Sequence, residues 1–187
     1  SFSAPIWWFY LYWLPKFLNK QYGLDLATLG PPLVVIYTMT TVGSIGGGWL
    51  SGALLKRGWS PNASRKTALL VCALCVVPVV FAAKAHNLWV ATFLIGLAAA
   101  AHQGWAANLF TLVSDLFPKQ AVASVVGLGG MFGSLAAVAF SQSAGFILQT
   151  TGSYWVLFIM AGSAYLLALI IMQLLIPNMK PAEVNRV

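Results

Sequence analysis

Apolar residues run along this chain in six long stretches, at about 2–18, 31–55, 67–83, 88–113, 121–148 and 154–176, and nearly every charged residue falls between them. No stretch alternates apolar and polar positions with the period of two of a half-buried strand, so each reads as a helix. A helix needs about 20 apolar residues to cross the hydrocarbon core of a bilayer, and one that is apolar all round has no face to turn to water. The pattern predicts an all-α membrane protein, a six-transmembrane-helix bundle forming one domain over 1–187, and disfavours a β-barrel. Pro15 should kink the first helix near its far end, and Pro31-Pro32 should open the second, where missing N–H groups are tolerated. The connections 84–87 and 149–153 are short enough to join helices three and four, and five and six, as antiparallel hairpins.

Composition agrees. Charged residues are 7% of the 187 and hydrophobic ones 60%, whereas a soluble domain carries about a quarter charged residues to cover its surface. The net charge of +7 is scattered over the connections instead of forming one basic face, which speaks for membrane topology and against nucleic-acid binding. Lys56, Arg57, Arg65, Lys66 and Lys119, with Lys180 and Arg186 of the tail, fall on one side; Lys16, Lys20 and Lys84 fall on the other. The positive-inside rule makes the first side cytoplasmic and places the C-terminus there. Asn62-Ala63-Ser64 matches a glycosylation site but lies in that basic cytoplasmic connection, so the match carries no weight. The chain does not begin with Met, its first apolar run is short, and no basic segment precedes it; a start inside a helix, with upstream sequence missing, is the expectation. Cys72 and Cys75 lie within an apolar run that disfavours the thiolate and read as packed, free cysteines.

Candidate chemistry concentrates on the fourth stretch. With Gln103 at zero on a helical wheel, Ser114, Ala107, Ala100, Thr111, Gly104, Asp115 and Asn108 span an arc of roughly 140°, all small or polar. Ala106, Leu109, Val113 and Leu116 cluster opposite. A polar flank inside a membrane should face a water-filled cavity or a bundle interior. Gln103 and Asn108 can thus contact a substrate or bond a neighbouring helix, and both readings stand. Asp115, at the helix end, suits an ion pair better than ligation. His102 falls about 100° from Gln103, beside the apolar cluster, and reads as a packed, hydrogen-bonded histidine. Trp8 and Tyr12 are one turn apart on the first stretch and suit either sugar stacking or an interfacial aromatic belt; Trp13 and Tyr22 fit the belt. Ala123, Gly127, Gly130, Ser134, Ala137, Ser141 and Ala144 make a small-residue stripe on the fifth stretch. Gly43 with Gly47, and Gly48 with Gly52, make shorter ones on the second. No nucleotide, nucleophile or zinc motif is present, so no enzyme, cofactor or metal site is indicated.

The string Trp7-Trp8-Phe9-Tyr10-Leu11-Tyr12-Trp13-Leu14-Pro15-Lys16-Phe17 resembles the seventh helix of bacterial hexuronate transporters. Gly58-Trp59-Ser60-Pro61-Asn62-Ala63-Ser64-Arg65-Lys66-Thr67 resembles the loop after their eighth. Ala101-His102-Gln103-Gly104-Trp105-Ala106-Ala107-Asn108-Leu109-Phe110, with Ser114-Asp115-Leu116-Phe117-Pro118-Lys119, resembles their tenth helix and its exit. The resemblance covers essentially the whole chain. It implies the C-terminal half of a twelve-helix anion:cation symporter of the major facilitator superfamily. By that resemblance the activity is proton-coupled uptake of glucuronate or galacturonate across the bacterial inner membrane. The partners are the lipid bilayer, the sugar acid and an N-terminal six-helix half holding the carboxylate-binding arginine and proton-coupling acids. The cavity would lie between the halves, with Gln103, Asn108, Trp8 and Tyr12, then Thr111 and Ser134, as substrate contacts. Related members place an asparagine near Gly130; this chain has glycine there, so that contact is not carried over, and Ser134, one turn on, is a weaker substitute. Gly52 stands where the superfamily's loop signature has an acid. The rival expectation is a non-transporting six-helix membrane protein that binds its own kind or another chain as an oligomer.

Overall fold

The computed structural model of the protein describes residues 4–25 and 27–177. It consists of six helices: α1 (Ala4–Tyr22), α2 (Gly30–Lys56), α3 (Pro61–Val76), α4 (Leu88–Leu116), α5 (Lys119–Thr151) and α6 (Trp155–Leu175), with a 3-10 segment, Val77–Lys84, continuing α3. The tail cations Lys180 and Arg186, and the expected start of the first helix at residue 2, lie outside the described residues. Among the described residues, five spans are long and apolar enough to cross a membrane: α2, Pro61–Lys84 taken together, α4, α5 and α6. The chain is a multi-pass membrane protein. α1 does not meet that standard, because Lys16, Asn19, Lys20 and Gln21 occupy its last two turns. Its helical winding continues across Pro15.

Local chemistry sets the helix ends. The third helix begins six residues before the sequence expectation. Ser60 is an extended N-cap whose hydroxyl accepts from the Ala63 N–H at 3.2 Å, and Pro61 fills the first helical position. Arg65 and Lys66 are therefore helical, not part of a basic loop. The α-winding stops at Val76, two residues before Pro78, which has no N–H to donate, and the 3-10 segment carries the chain on to Lys84. Asn87 caps α4, accepting from Trp89 N at 2.8 Å. Gly152 ends α5 in the left-handed conformation at φ 65°, which glycine adopts without steric cost.

Lipid tails are as apolar as leucine, so close packing, not water exclusion, holds such helices together. The tightest pair is α2 on α4. A Cβ on Gly43 would strike the backbone of Ala100, and one on Gly47 the backbone of Gly104. The Gly43–Gly47 pair thus works as the small-residue pattern implies. Gly48 and Gly52 have nothing within 4 Å of an added Cβ. The 3-10 segment lies on α6, where Gly162 leaves room for Val80. Phe9, Phe17 and Phe158 pack edge to face, tying α1 to α6. The short turn after α5 gives little of the expected α5–α6 hairpin: α5 packs chiefly on α1. Most of the α5 stripe, including Ala123, Gly127, Gly130 and Ser134, stays exposed, while Ala137 and Ala144 are buried.

The charges sit at opposite ends of the bundle. At one end Lys20 donates to Gly152 O at 2.9 Å, Lys84 lies 4.0 Å from the Trp155 ring centroid, and Tyr22 donates to Ala85 O at 2.6 Å. At the other, Arg65 of α3 pairs with Asp115 of α4 at 3.0 Å and donates to Ser51 of α2 at 2.8 Å. Lys66 there caps the end of α6 through Gln173, Ile176 and Pro177. Asp115 is the ion-pair partner its position suggested.

Candidate functional site

A cavity of about 460 Å³ opens between α1, α4 and α5. α1 brings Trp7 and Trp8 to it, α4 brings His102 and Gln103, and α5 brings Gly130 and Ser134. A second hollow of about 340 Å³ adjoins it, lined by Trp8, Tyr12, Ser134, Ser141 and Gln142. Trp8 and Ser134 belong to both, so the two form one continuous trough. Each lies in the range that small-molecule sites occupy.

Four of the six residues expected to contact a substrate meet in this trough: Trp8, Tyr12, Gln103 and Ser134. Trp8 and Tyr12 stack on each other with centroids 5.6 Å apart and planes 15° from parallel. Both are exposed enough to offer a further ring face. The side chains of Gln103 and Ser134 have no hydrogen-bond partner among the described residues. That leaves an amide and a hydroxyl available to a ligand.

The other two lie elsewhere. Asn108 is completely buried. Its Nδ2 donates to Gly47 O at 2.8 Å and to Gly104 O at 2.9 Å, making it the polar tie between α2 and α4. Of the two readings open for it, the structure supplies the interhelical bond. Thr111 is half-buried and turns its hydroxyl back on its own helix, 2.6 Å from Ala107 O. It lines neither hollow.

The small and polar arc of α4 therefore has two fates. Its Ala100–Gly104–Asn108 side packs on α2, because residues without bulk let the backbones close up. The cavity wall continues from Gln103 through Ala106, Leu109, Phe110 and Val113, which includes the side expected to be the apolar back of the helix. His102 belongs to this wall. It is packed and hydrogen-bonded, as expected from the sequence, bonding Tyr165; its ring stacks on Trp7, a residue the sequence did not single out, with centroids 5.1 Å apart and planes 8° from parallel. The usable signal was the pairing: a histidine next to Gln103 and an indole next to Trp8 share one interface.

Among the described residues, no Lys, Arg, Asp or Glu lines either hollow. The arrangement can grip apolar C–H faces with indole and phenol rings and read neutral oxygens through amide, hydroxyl and imidazole groups. It contains no cation for a carboxylate. Among the described residues no cluster of His, Cys, Asp and Glu is suited to a metal.

Apolar helices around a trough with a few uncharged polar groups define a membrane-embedded helical domain. The model of the Major Facilitator Superfamily matches residues 1–141, and the chain belongs to that family. It is similar to the probable galactarate/D-glucarate transporter GarP of Escherichia coli (strain K12), 24% identical over 185 residues, covering 99% of this chain and 41% of the relative. It is also similar to the hexuronate transporter of the same organism, 31% identical over 152 residues, 80% of this chain and 35% of the relative. A third relative is the D-galactonate transporter of Escherichia coli O6:H1, 26% identical over 149 residues, 80% of this chain and 34% of the relative. The chain thus spans about two-fifths of the length of the first of these relatives and about a third of the others.

Proposed function

We propose that this chain is the C-terminal six-helix half of a proton-coupled symporter for sugar acids, with hexuronates as the substrate. Uptake would cross the bacterial inner membrane, with Arg65, Asp115 and Lys66 at the cytoplasmic end and the C-terminus on that side. The observation that carries this reading is the trough itself: two indoles, a phenol, an imidazole, two amides and two hydroxyls, with no charge among the described residues. Such a surface suits the ring and hydroxyls of a sugar acid and leaves its carboxylate to another partner. The matched relatives bear the names of sugar-acid transporters, which supports the same substrate class.

The missing partner would be a second six-helix half supplying a cation and proton-accepting acids. α2 and α5 are the helices left to meet it. Val42, Ile45 and Trp49 of α2, and Met131, Phe132 and Leu135 of α5, are more than half exposed. The trough opens along α5, so covering that helix would enclose the substrate midway between the halves. Rocking of one half on the other then gives alternating access.

Uptake by proteoliposomes holding both halves tests this. An inwardly directed proton gradient should drive accumulation of labelled galacturonate or glucuronate, and a protonophore should abolish it. Competition by galactarate and galactonate ranks the substrates. Absence of accumulation with both halves present would sink the proposal. A defined homo-oligomer of this chain without uptake would point to the binding or structural role instead.

A further inference from the structure

His102 carries an arrangement that packing alone does not require. Its ring stacks on Trp7, and its Nδ1 lies 2.6 Å from the hydroxyl of Tyr165 on α6. Tyr165 is completely buried, with Trp105 edge-on to it at 5.4 Å. Its hydroxyl has no other hydrogen-bond partner among the described residues. Two proton placements fit the short contact. If Nδ1–H donates, the buried Tyr165 O–H has no acceptor for its own proton. If the Tyr165 O–H donates to Nδ1, both groups are satisfied and the imidazole proton sits on Nε2. Buried donors are seldom left without an acceptor, which favours the second placement. Nε2 has no partner among the described residues, and His102 lines the cavity beside Gln103.

We infer that His102 is a substrate-contacting residue whose Nε2–H donates to a hydroxyl oxygen of the bound sugar acid, next to the Gln103 amide. Tyr165 is a positioning residue that fixes the tautomer, and Trp7 fixes the ring plane. A neutral donor suits a hydroxyl, which agrees with the lack of charge in the trough. The inference rests on the sugar-acid reading above and adds a residue and a proton position to it.

Two near-isosteric variants separate this role from packing. His102→Asn keeps an atom where Nδ1 meets Tyr165 and loses the group at Nε2; His102→Gln does the reverse. Both are measured in the two-half transporter, by tryptophan fluorescence titration with galacturonate and with analogues lacking one hydroxyl each. His102→Asn should bind galacturonate roughly tenfold more weakly, about the contribution of one neutral hydrogen bond. It should also lose the wild-type discrimination against one particular deoxy analogue. His102→Gln should stay within about threefold of wild type. Tyr165→Phe, which frees the tautomer, should weaken binding by a few-fold. The reverse order, with Asn like wild type and Gln defective, overturns the inference and makes His102 a bracket for Tyr165.

A readout on the unmodified protein covers the case in which a variant does not fold. In ¹⁵N-histidine spectra, the His102 signals, assigned by difference against a histidine-substituted variant or by their coupling pattern, should show the Nε2–H tautomer and shift on adding galacturonate. The Nδ1–H tautomer overturns the inference, as does an unshifted signal while tryptophan fluorescence reports binding. No fluorescence response to any sugar acid overturns the substrate reading as well.

Discussion

Gly47→Ala puts one methyl group where the structure has none to spare. The added Cβ would lie 2.9 Å from both the carbonyl carbon and the carbonyl oxygen of Gly104, and neither belongs to a flexible side chain. Backbone cannot swing aside, so α2 and α4 must separate. Forcing an extra methyl into a packed contact typically costs about 1–3 kcal/mol. Separation also stretches the 2.8 Å bond from Asn108 Nδ2 to Gly47 O. A buried amide that loses an acceptor costs about 1–3 kcal/mol, reduced here because Asn108 keeps Gly104 O. The expected loss is about 2–5 kcal/mol, or roughly 5–15 °C in Tm for a chain of this size. Thermal unfolding in detergent micelles, followed by tryptophan fluorescence, measures it. The matched control is Gly48→Ala, one residue on, where an added Cβ meets nothing within 4 Å. Alanine's better helix propensity makes that change neutral or stabilising by up to about 1 kcal/mol. Equal stability of the two variants would refute the claim that the glycines hold α2 against α4.

Asp115→Asn should cost about 1–2 kcal/mol, because it strands the nearly buried Arg65 guanidinium with only Ser51; a double-mutant cycle with Arg65→Gln should show coupling near 1 kcal/mol, and additivity within about 0.3 kcal/mol would rule the pair out as a determinant of stability. Gln103→Ala should raise KM for the sugar acid roughly tenfold while leaving Tm within about 2 °C, since its amide supports no other described residue; an unchanged KM would remove Gln103 from the site. In the connection between α1 and α2, the Thr28 hydroxyl and then the Thr28 N–H, bonded to the Asp25 carboxylate at 2.6 and 2.9 Å, hold its pKa below the usual aspartate value. That contribution to the folded state is complete above the unfolded aspartate pKa and fades as pH falls through the lowered folded one. Thr28→Val should move the carboxyl titration upward in an NMR pH series, and an unmoved titration would contradict this.

The apolar stretches showed in the sequence because a membrane-spanning helix demands a long run of one chemistry, and six such runs correspond to the six helices. The start of α3 was misplaced because Arg65 and Lys66 looked like loop residues. Yet Ser60-Pro61 is a helix-opening pair, and Arg65 is tolerated inside because Asp115 and Ser51 meet it. The departure of α5 from α6 was invisible: a short turn fixes where two helices join, not where they go afterwards. Small residues on α4 carried two meanings at once, since glycine and alanine permit both an aqueous face and a tight helix contact. Only the opposing Gly43 and Gly47 decide between them. Trp8, Tyr12, Gln103 and Ser134 line one trough. His102 is the packed, hydrogen-bonded histidine that its place on the helical wheel suggested, but its partners Trp7 and Tyr165, 95 and 63 positions away, were not legible in the sequence.

The change of winding before Pro78 has a consequence for length. A 3-10 helix rises about 2.0 Å per residue where an α-helix rises about 1.5 Å, so the eight residues from Val77 to Lys84 reach about 16 Å instead of about 12 Å. The 24 residues from Pro61 to Lys84 thereby extend about 40 Å, level with the 27 residues of α2. Three missing residues are made up by pitch. Restoring α-winding there would shorten the rod by about 4 Å and draw Lys84 off Trp155, so the distance this part of the chain covers is set by how tightly it is coiled and not by how many residues it contains.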